Sequence, residues 1–378
     1  MDNPKDKAIL GRASTAAAVE RFARADRAFA VTAARWDNDP FLLGTPSGTV
    51  DLRSGRLRPA AQADFITKNT AVAPAENANC PLWLQFLDDA TRDDAKLIRF
   101  LRQWCGYCLT GDIREHALLF IFGPGGNGKS VLLNTVSRIL GDYAAIAAMD
   151  TFAASHNDRH PTDLAMLRGA RLVCVSETEE GRAWAENRIK SLTGGDPITA
   201  RFMRQDFFTY QPQFKITVIG NHKSVLKNVD DANRQRFNLA PFIHKPTNPD
   251  RDLEHKLQAE HPAILRWMID GCLDWQANGL VRPDVVKSAT AEYFVEQDTV
   301  RQWVEDCCVT TTKPPHAADT FASFYASWRN CAHDRGEDVG DSKAFGTRLQ
   351  NLGFLPVKNT DGIRGRGYKG MRVHVHAP

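Results

Sequence analysis

The segment Gly123-Pro124-Gly125-Gly126-Asn127-Gly128-Lys129-Ser130 satisfies G-x-x-x-x-G-K-[ST] and stands directly behind the apolar run 117–122. A strand feeding such a loop is a phosphate cradle. The glycines let backbone N–H groups turn inward around a phosphate chain, and the helix expected over 131–140 adds its positive N-terminal end. Lys129 would reach the β- and γ-phosphates and Ser130 would place its hydroxyl on Mg²⁺, which makes ATP and Mg²⁺ the expected ligands. Kinases, switches and motors share this loop.

Hydrolysis also needs a carboxylate and a polar group at the γ-phosphate. The run 172–175 reads as a strand ending in Ser176-Glu177-Thr178-Glu179-Glu180, acids able to hold Mg²⁺ and polarise an attacking water. Glu177 is the expected essential carboxylate, a metal ligand or, if Ser176 faces the metal, the base. Glu179 is the second candidate, although an acidic helix start would also account for Glu179 and Glu180. A third strand over 214–220 ends at Asn221, which can orient the lytic water or simply make a Gly-Asn turn. Arg234 and Arg236 follow shortly after. Either could stabilise transition-state charge on a neighbouring subunit's γ-phosphate, or end a surface helix.

Short apolar runs alternating with helical stretches over 111–278 imply an α/β domain whose parallel sheet binds ligand at the C-terminal ends of its strands. Before it, 1–110 reads as mainly helical, with an apolar face at Val19, Phe22, Ala23, Phe29 and Ala30 and a short hairpin over 48–58. Residues 279–284 read as a linker to a last domain over 285–378. The chain has 378 residues and 43% hydrophobic content, enough for two or three cores. No run approaches bilayer length, so no membrane partner is expected and the cytoplasm is the default location. Eight irregularly spaced cysteines describe no disulfide framework. Cys105 and Cys108 imitate a C-x-x-C site, but they continue a helical stripe with Leu97, Phe100, Leu101 and Trp104, and core is the expected reading.

The ordered set Gly123 to Ser130, Glu177, Lys190-Ser-Leu-Thr-Gly-Gly-Asp-Pro-Ile-Thr-Ala-Arg201, Asn221 and Arg234 to Phe242 closely resembles the superfamily 3 helicases of the phage, plasmid and poxvirus primase branch. Phe41-Leu-Leu-Gly44, Asp51-Leu-Arg-Ser-Gly-Arg-Leu-Arg58 and 101–111 are similar to the helical domain that precedes the helicase there. The resemblance implies an α/β fold with an AAA+-like P-loop ATPase core, a mainly helical N-terminal domain and a C-terminal winged helix. It implies a ring, usually hexameric, that hydrolyses ATP between subunits and translocates 3′ to 5′ on single-stranded DNA. The setting would be replication of a phage, plasmid or integrated element in a bacterial host cytoplasm. DNA-contacting loops lie beyond Gly195 in that picture. Here Arg201, Arg204 and Lys215 interleave with Phe202, Phe207, Phe208 and Tyr210, which suits stacking on DNA, though Phe207 and Phe208 could pack inward. Lys190 could face nucleotide or DNA. The arginines are separated by Gln235 where the family often has an adjacent pair, which leaves the trans-acting one open.

The last domain resembles the winged-helix module of this branch. Helices are expected over 320–328 and 342–353, then a basic, glycine-rich hairpin around 361–367. Lys343, Arg364, Arg366 and Lys369 are its candidate DNA contacts. From 351 to 378 five Lys/Arg oppose Asp361 alone. At the other end, Asp37 and Asp39 make a D-x-D with no room for a primase domain, so no primer synthesis is expected and a separate primase or polymerase is a possible partner. Two other readings compete: an ATP-binding replication initiator or scaffold, and a small-molecule kinase, which would lack a reason for the basic hairpin.

Overall fold

The computed structural model describes residues 4–154, 162–176, 183–226, 231–246, 249–311, 317–336, 339–360 and 362–374. Helices α1 (Pro4–Leu10) and α2 (Ala13–Ala25) bury no side chain. The apolar face expected there is therefore not a core face: Phe22 is 77% and Phe29 70% exposed. The helix stops at Asp26, whose carboxylate accepts from the Ala28 N–H. Strands β1 (Leu42–Thr45), β2 (Gly48–Asp51) and β3 (Arg56–Arg58) form an antiparallel sheet that contains the expected hairpin. The nearby D-x-D carboxylates are engaged locally, Asp39 by Arg53 and Asp37 by Thr67.

Helices α3 (Pro81–Thr91) and α4 (Ala95–Tyr107) follow, the second started by Asp94, which accepts from the N–H groups of Lys96 and Leu97. Cys105 and Cys108 are buried here. Burial pushes the Cys108 thiol up to about 12, the behaviour of core rather than of a redox pair.

The middle of the chain contributes β4 (Leu118–Phe122), α5 (Lys129–Leu140), β5 (Ala144–Ala148), α6 (Thr162–Ala165), β6 (Leu172–Ser176), α7 (Glu186–Gly194), β7 (Ile198–Ala200), β8 (Phe208–Tyr210), β9 (Lys215–Gly220), α8 (Asp231–Arg236) and β10 (Phe237–Pro241). Five strands make a parallel sheet in the order β10-β4-β9-β6-β5. Its centre is built from the three apolar runs, whose Leu, Ile, Val and Phe content suits strands covered on both faces. The edge strand β5 carries little strand propensity, and its Ile146 is 80% exposed. Strands β7 and β8 form a separate antiparallel hairpin.

Helices α9 (Leu253–Leu257) and α10 (His261–Asn278) return the chain to the N-terminal segment. At the crossing of α10 on α4, a Cβ on Gly106 would lie 2.1 Å from the Cys272 nitrogen, and one on Gly271 2.1 Å from the Arg102 carbonyl oxygen. The two backbones touch. One hydrophobic core consequently runs from Leu43 through α3, α4 and α5 to α10 and Val286, across the expected division at residue 110.

Two buried cations fasten the sheet to this segment. Arg171, just before β6, donates to the carbonyls of Leu109 and Leu42 and lies 4.4 Å from the Tyr143 ring centre. Lys215, at the start of β9, donates to the carbonyls of Thr110, Asp112 and Gln213. It is 2% exposed, which removes it from any DNA surface. Burial pushes its pKa down to about 7.

Helix α11 (Asp284–Glu296) packs on β10 and places Ala289, Tyr293 and Phe294 in the sheet's own core, although it lies beyond the expected linker. A third core begins with α12 (Thr299–Cys307) and includes β11 (Cys308–Thr310), β12 (Ala318–Thr320), α13 (Phe321–Asp334), α14 (Ser342–Asn351), β13 (Leu355–Lys358), β14 (Arg366–Lys369) and β15 (Met371–Val373). Trp303, Phe324, Trp328, Phe345 and Tyr368 fill it. Strands β12, β14 and β13 form an antiparallel sheet, and the Tyr368 hydroxyl donates to the Gly346 carbonyl at 2.9 Å, tying the hairpin to α14.

The glycine crossing predicts that Gly106→Ala and Gly271→Ala each destabilise by about 3 kcal/mol, since overpacked backbone cannot yield as a flexible side chain does; urea unfolding measures it. Lys215 predicts a pH signature. An unfolded lysine keeps its proton to about pH 10 while the buried one releases it near 7, so between these values the unfolded state binds more protons and this site's contribution to stability rises with pH. Relative to Lys215→Met, the wild type should gain about 1 kcal/mol per pH unit from pH 7 to 9.

Candidate functional site

The loop from Gly123 to Ser130 leaves the C-terminal end of β4 and enters α5. Gly126 and Gly128 adopt φ of +82° and +86°, a region that favours glycine. A Cβ on Gly128 would also lie 2.6 Å from the Phe86 ring, whereas Gly125 and Gly126 border open space. Gly128, as N-cap, offers no side chain to α5, so the first-turn N–H groups keep their capacity for an anion. Lys129 is 6% exposed and donates to the carbonyls of Gly123 at 2.6 Å and Pro124 at 2.9 Å, and to Asn127 Oδ1 at 2.9 Å. Burial lowers its pKa from the ordinary lysine value.

A cavity of about 510 Å³ opens over the loop, and both Ser130 and Asn221 border it. The strand tip and the loop therefore meet as their order suggested. One wall is apolar surface of α3, with Leu82, Phe86 and Ala90; a second is Pro246, Pro249 and Leu253. Neither wall was identified from sequence. Nothing local marks α3 as part of a site 40 residues downstream; Phe86 reads as an ordinary core residue of an amphipathic helix. The walls are held in place by carboxylates. Glu260 accepts from the N–H groups of Leu82 and Trp83 at 3.0 and 2.9 Å, capping α3, and Glu254 joins α9 to Asn134 and Arg138 of α5.

Ser176 ends β6 opposite Ile219 of β9. Glu177 and Glu179 lie outside the described residues. The fit of a divalent cation is thus testable here only at Ser130, whose exposed hydroxyl borders the cavity beside Lys129. Arg234 and Arg236 do not border it. They end α8, and since Phe237 pairs with Leu118 in parallel register, they stand at the opposite end of β10 from the loop, about 13 Å along the strand. Arg234 is exposed beside the Phe294 ring, while Arg236 is half-buried and donates back to the Ala232 carbonyl at 2.8 Å.

Other candidates fall on two separate hairpins. Arg201 and Arg204 are exposed at the β7–β8 turn, with the Arg201 guanidinium 4.7 Å from the Phe207 ring centre. Phe207 does not pack inward; it is 59% exposed. Lys190 is half-buried on α7, away from the cavity lining. In the last module Lys343, Arg364 and Arg366 are exposed and Lys369 is half-buried. Lys358 and Arg366 lie directly opposite each other across β13 and β14, a like-charge pair that costs stability.

Residues 3–92 match the family model described as D5 N terminal like, and residues 121–236 match one described as a family of unknown function (DUF5906). The "Putative helicase L207/L206" of Acanthamoeba polyphaga mimivirus is 24% identical over 298 residues, 72% of this chain and 31% of that protein. The "Putative helicase 022R" of Frog virus 3 is 26% identical over 65% of this chain and 26% of its own length. The "Putative primase C962R" of African swine fever virus (isolate Warthog/Namibia/Wart80/1980) is 21% identical over 78% of this chain and 34% of its own. The chain thus spans about a third of the length of these relatives. Among solved structures, the A form apo structure of the NrS-1 C terminal region overlaps with a TM-score of 0.48 at 12% identity, covering 80% of this chain and 77% of that one. The chain carries a D5 N terminal-like segment and is similar to viral proteins named as helicases and primases.

Proposed function

We propose that the protein is an ATP-dependent replicative DNA helicase of the superfamily 3 kind, working as a ring, hexameric in the usual form, that moves 3′ to 5′ on single-stranded DNA. The observation that carries this reading is the cleft itself: a phosphate loop with Lys129 and Ser130, the strand-tip Asn221 on the same cavity, and an arginine pair held out of it at the far end of β10. ATP would lie with its phosphates on Gly123 to Ser130 and its base between Phe86 and Leu253. Ser130 and Glu177 would hold Mg²⁺, which when bound neutralises developing phosphate charge. Glu177, or Glu179 after it, would activate the water that Asn221 orients. Arg234, exposed where Arg236 is folded back on its helix, is the better placed to reach a neighbouring subunit.

The DNA reading is supported by two basic surfaces. Arg201 and Arg204 beside exposed Phe202 and Phe207 suit a single strand in a central passage, and Lys190 is a further candidate contact. The fold of the last module, two helices followed by an antiparallel hairpin, suits a winged helix. Its opposed Lys358 and Arg366, with Arg364, Lys369 and Lys343, would be relieved of their repulsion by phosphates at a fork or origin. Among the described residues no helix is long and apolar enough to cross a membrane.

Lys129→Ala should leave the circular dichroism spectrum intact and lower ATP turnover by about a hundredfold or more. Normal turnover would sink the assignment. Lys129→Ala mixed with Arg234→Ala should recover activity that neither has alone; recovery only with Arg236→Ala would reassign the trans-acting residue. Hydrolysis without strand separation would favour the initiator or scaffold. Arg364→Ala and Arg366→Ala should each weaken DNA binding across sequences and flatten its salt dependence by about one unit of slope. An unchanged slope would place the hairpin off the DNA.

A further inference from the structure

Helix α3 borders the cavity along two rows of side chains. Leu82, Phe86 and Ala90 make an apolar row, and Gln85 and Asp89, four residues apart, make a polar row beside it. Phe86 marks where this helix meets the phosphate loop, since its ring lies 2.6 Å from where a Cβ on Gly128 would be. Gln85 and Asp89 therefore flank the ring proposed to carry the base, with a rise of about 6 Å between them along the helix. The cavity's other polar side chains have tasks of their own. Asn127, Lys129 and Ser130 belong to the loop, Asn221 stands at the tip of β9, and Asp250 accepts from Lys256 at 2.6 Å and from the Asp252 N–H at 3.0 Å.

Gln85 Nε2 donates to Asp89 Oδ1 at 2.9 Å, which fixes the sense of the carboxamide, because the reverse orientation would set its oxygen against the carboxylate. So fixed, the pair offers the cleft two acceptors, Gln85 Oε1 and the second Asp89 oxygen, neither with a partner among the described residues. Neighbouring acceptors call for a ligand that donates two hydrogens from one place. An exocyclic amino group does so, whereas a carbonyl in its position sets lone pairs against lone pairs. The fork that a guanine N1–H and N2–H₂ edge would use needs both carboxylate oxygens, and one is engaged by Gln85. We propose that Gln85 and Asp89 select the nucleobase, accepting from the 6-amino group of a purine and refusing a 6-oxo purine. This rests on the reading of the cleft as a nucleotide site. It divides recognition between two parts of the chain, the phosphates falling to the loop and the base to the segment that matches the D5 N terminal-like model.

The test is calorimetric titration of the full chain with Mg²⁺-ADP, Mg²⁺-IDP and Mg²⁺-GDP. IDP differs from ADP in carrying an oxo group at position 6, with the N1 proton that accompanies it, and GDP adds the 2-amino group. The wild type should bind ADP at least about tenfold more tightly than IDP or GDP. Both side chains are exposed, so Gln85→Ala and Asp89→Ala leave the buried face of α3 in place. Each should weaken ADP and bring the ratio of ADP to IDP affinity to within about threefold of one. Asp89→Lys, which sets a donor against position 6, should bind IDP more tightly than ADP. Equal affinity of the wild type for ADP and IDP, or tighter binding of GDP than of ADP, overturns the selection and leaves the cleft a nucleotide site. Alanine variants that weaken all three nucleotides alike, with the ratio kept, show a pair that only shapes the wall, and that result overturns it equally. Failure of the wild type to bind any of the three removes the cleft reading and this inference together.

Discussion

The contact of two helix backbones at Gly106 and Gly271 is the constraint from which the cleft follows. A side chain at either position would hold α4 and α10 apart, and the separation would not stay local. Helix α10 begins directly after Glu260, the residue that caps α3, and α3 presents Phe86 to Gly128 of the phosphate loop. An adjustment of an ångström at the crossing is thus passed, through a cap and an aromatic ring, to the loop. The segment before the sheet forms one side of the site.

On the other flank the same task falls to charge. Arg171 and Lys215 sit at the N-terminal ends of β6 and β9 and donate to backbone carbonyls, five in all between them. Removing two cations from water is costly, and the carbonyls that offset part of that cost specify where the strands begin. Strands fixed at their starts present their far ends in register, and those ends carry Ser176 and Asn221.

This separates what was readable in the sequence from what was not. The loop, the three central strands and Asn221 were legible because adjacent residues define each of them: an apolar run, then glycines or an amide. The core assignment of Cys105 and Cys108 was legible from helical spacing for the same reason. Lys215 was misread as surface charge because the carbonyls that accept its hydrogen bonds come largely from Thr110 and Asp112, about a hundred residues earlier. Strand β5 was missed because Ala-Ala-Ile-Ala-Ala owes its conformation to pairing with β6 rather than to its own propensity. The walls from α3 and from Pro246, Pro249 and Leu253 were invisible for a similar reason, since their meeting depends on the helix crossing.

The placement of Arg234 at the end of β10 remote from the loop has a further consequence under the proposed reading. A parallel strand pair cannot bring its two ends together, so no internal motion of the sheet lets a chain complete its own hydrolytic site. An isolated subunit would hold ATP as a store rather than a fuel. Consumption would begin only when one chain's strand start meets another's strand end, which makes the spacing of the sheet itself the safeguard against idle turnover.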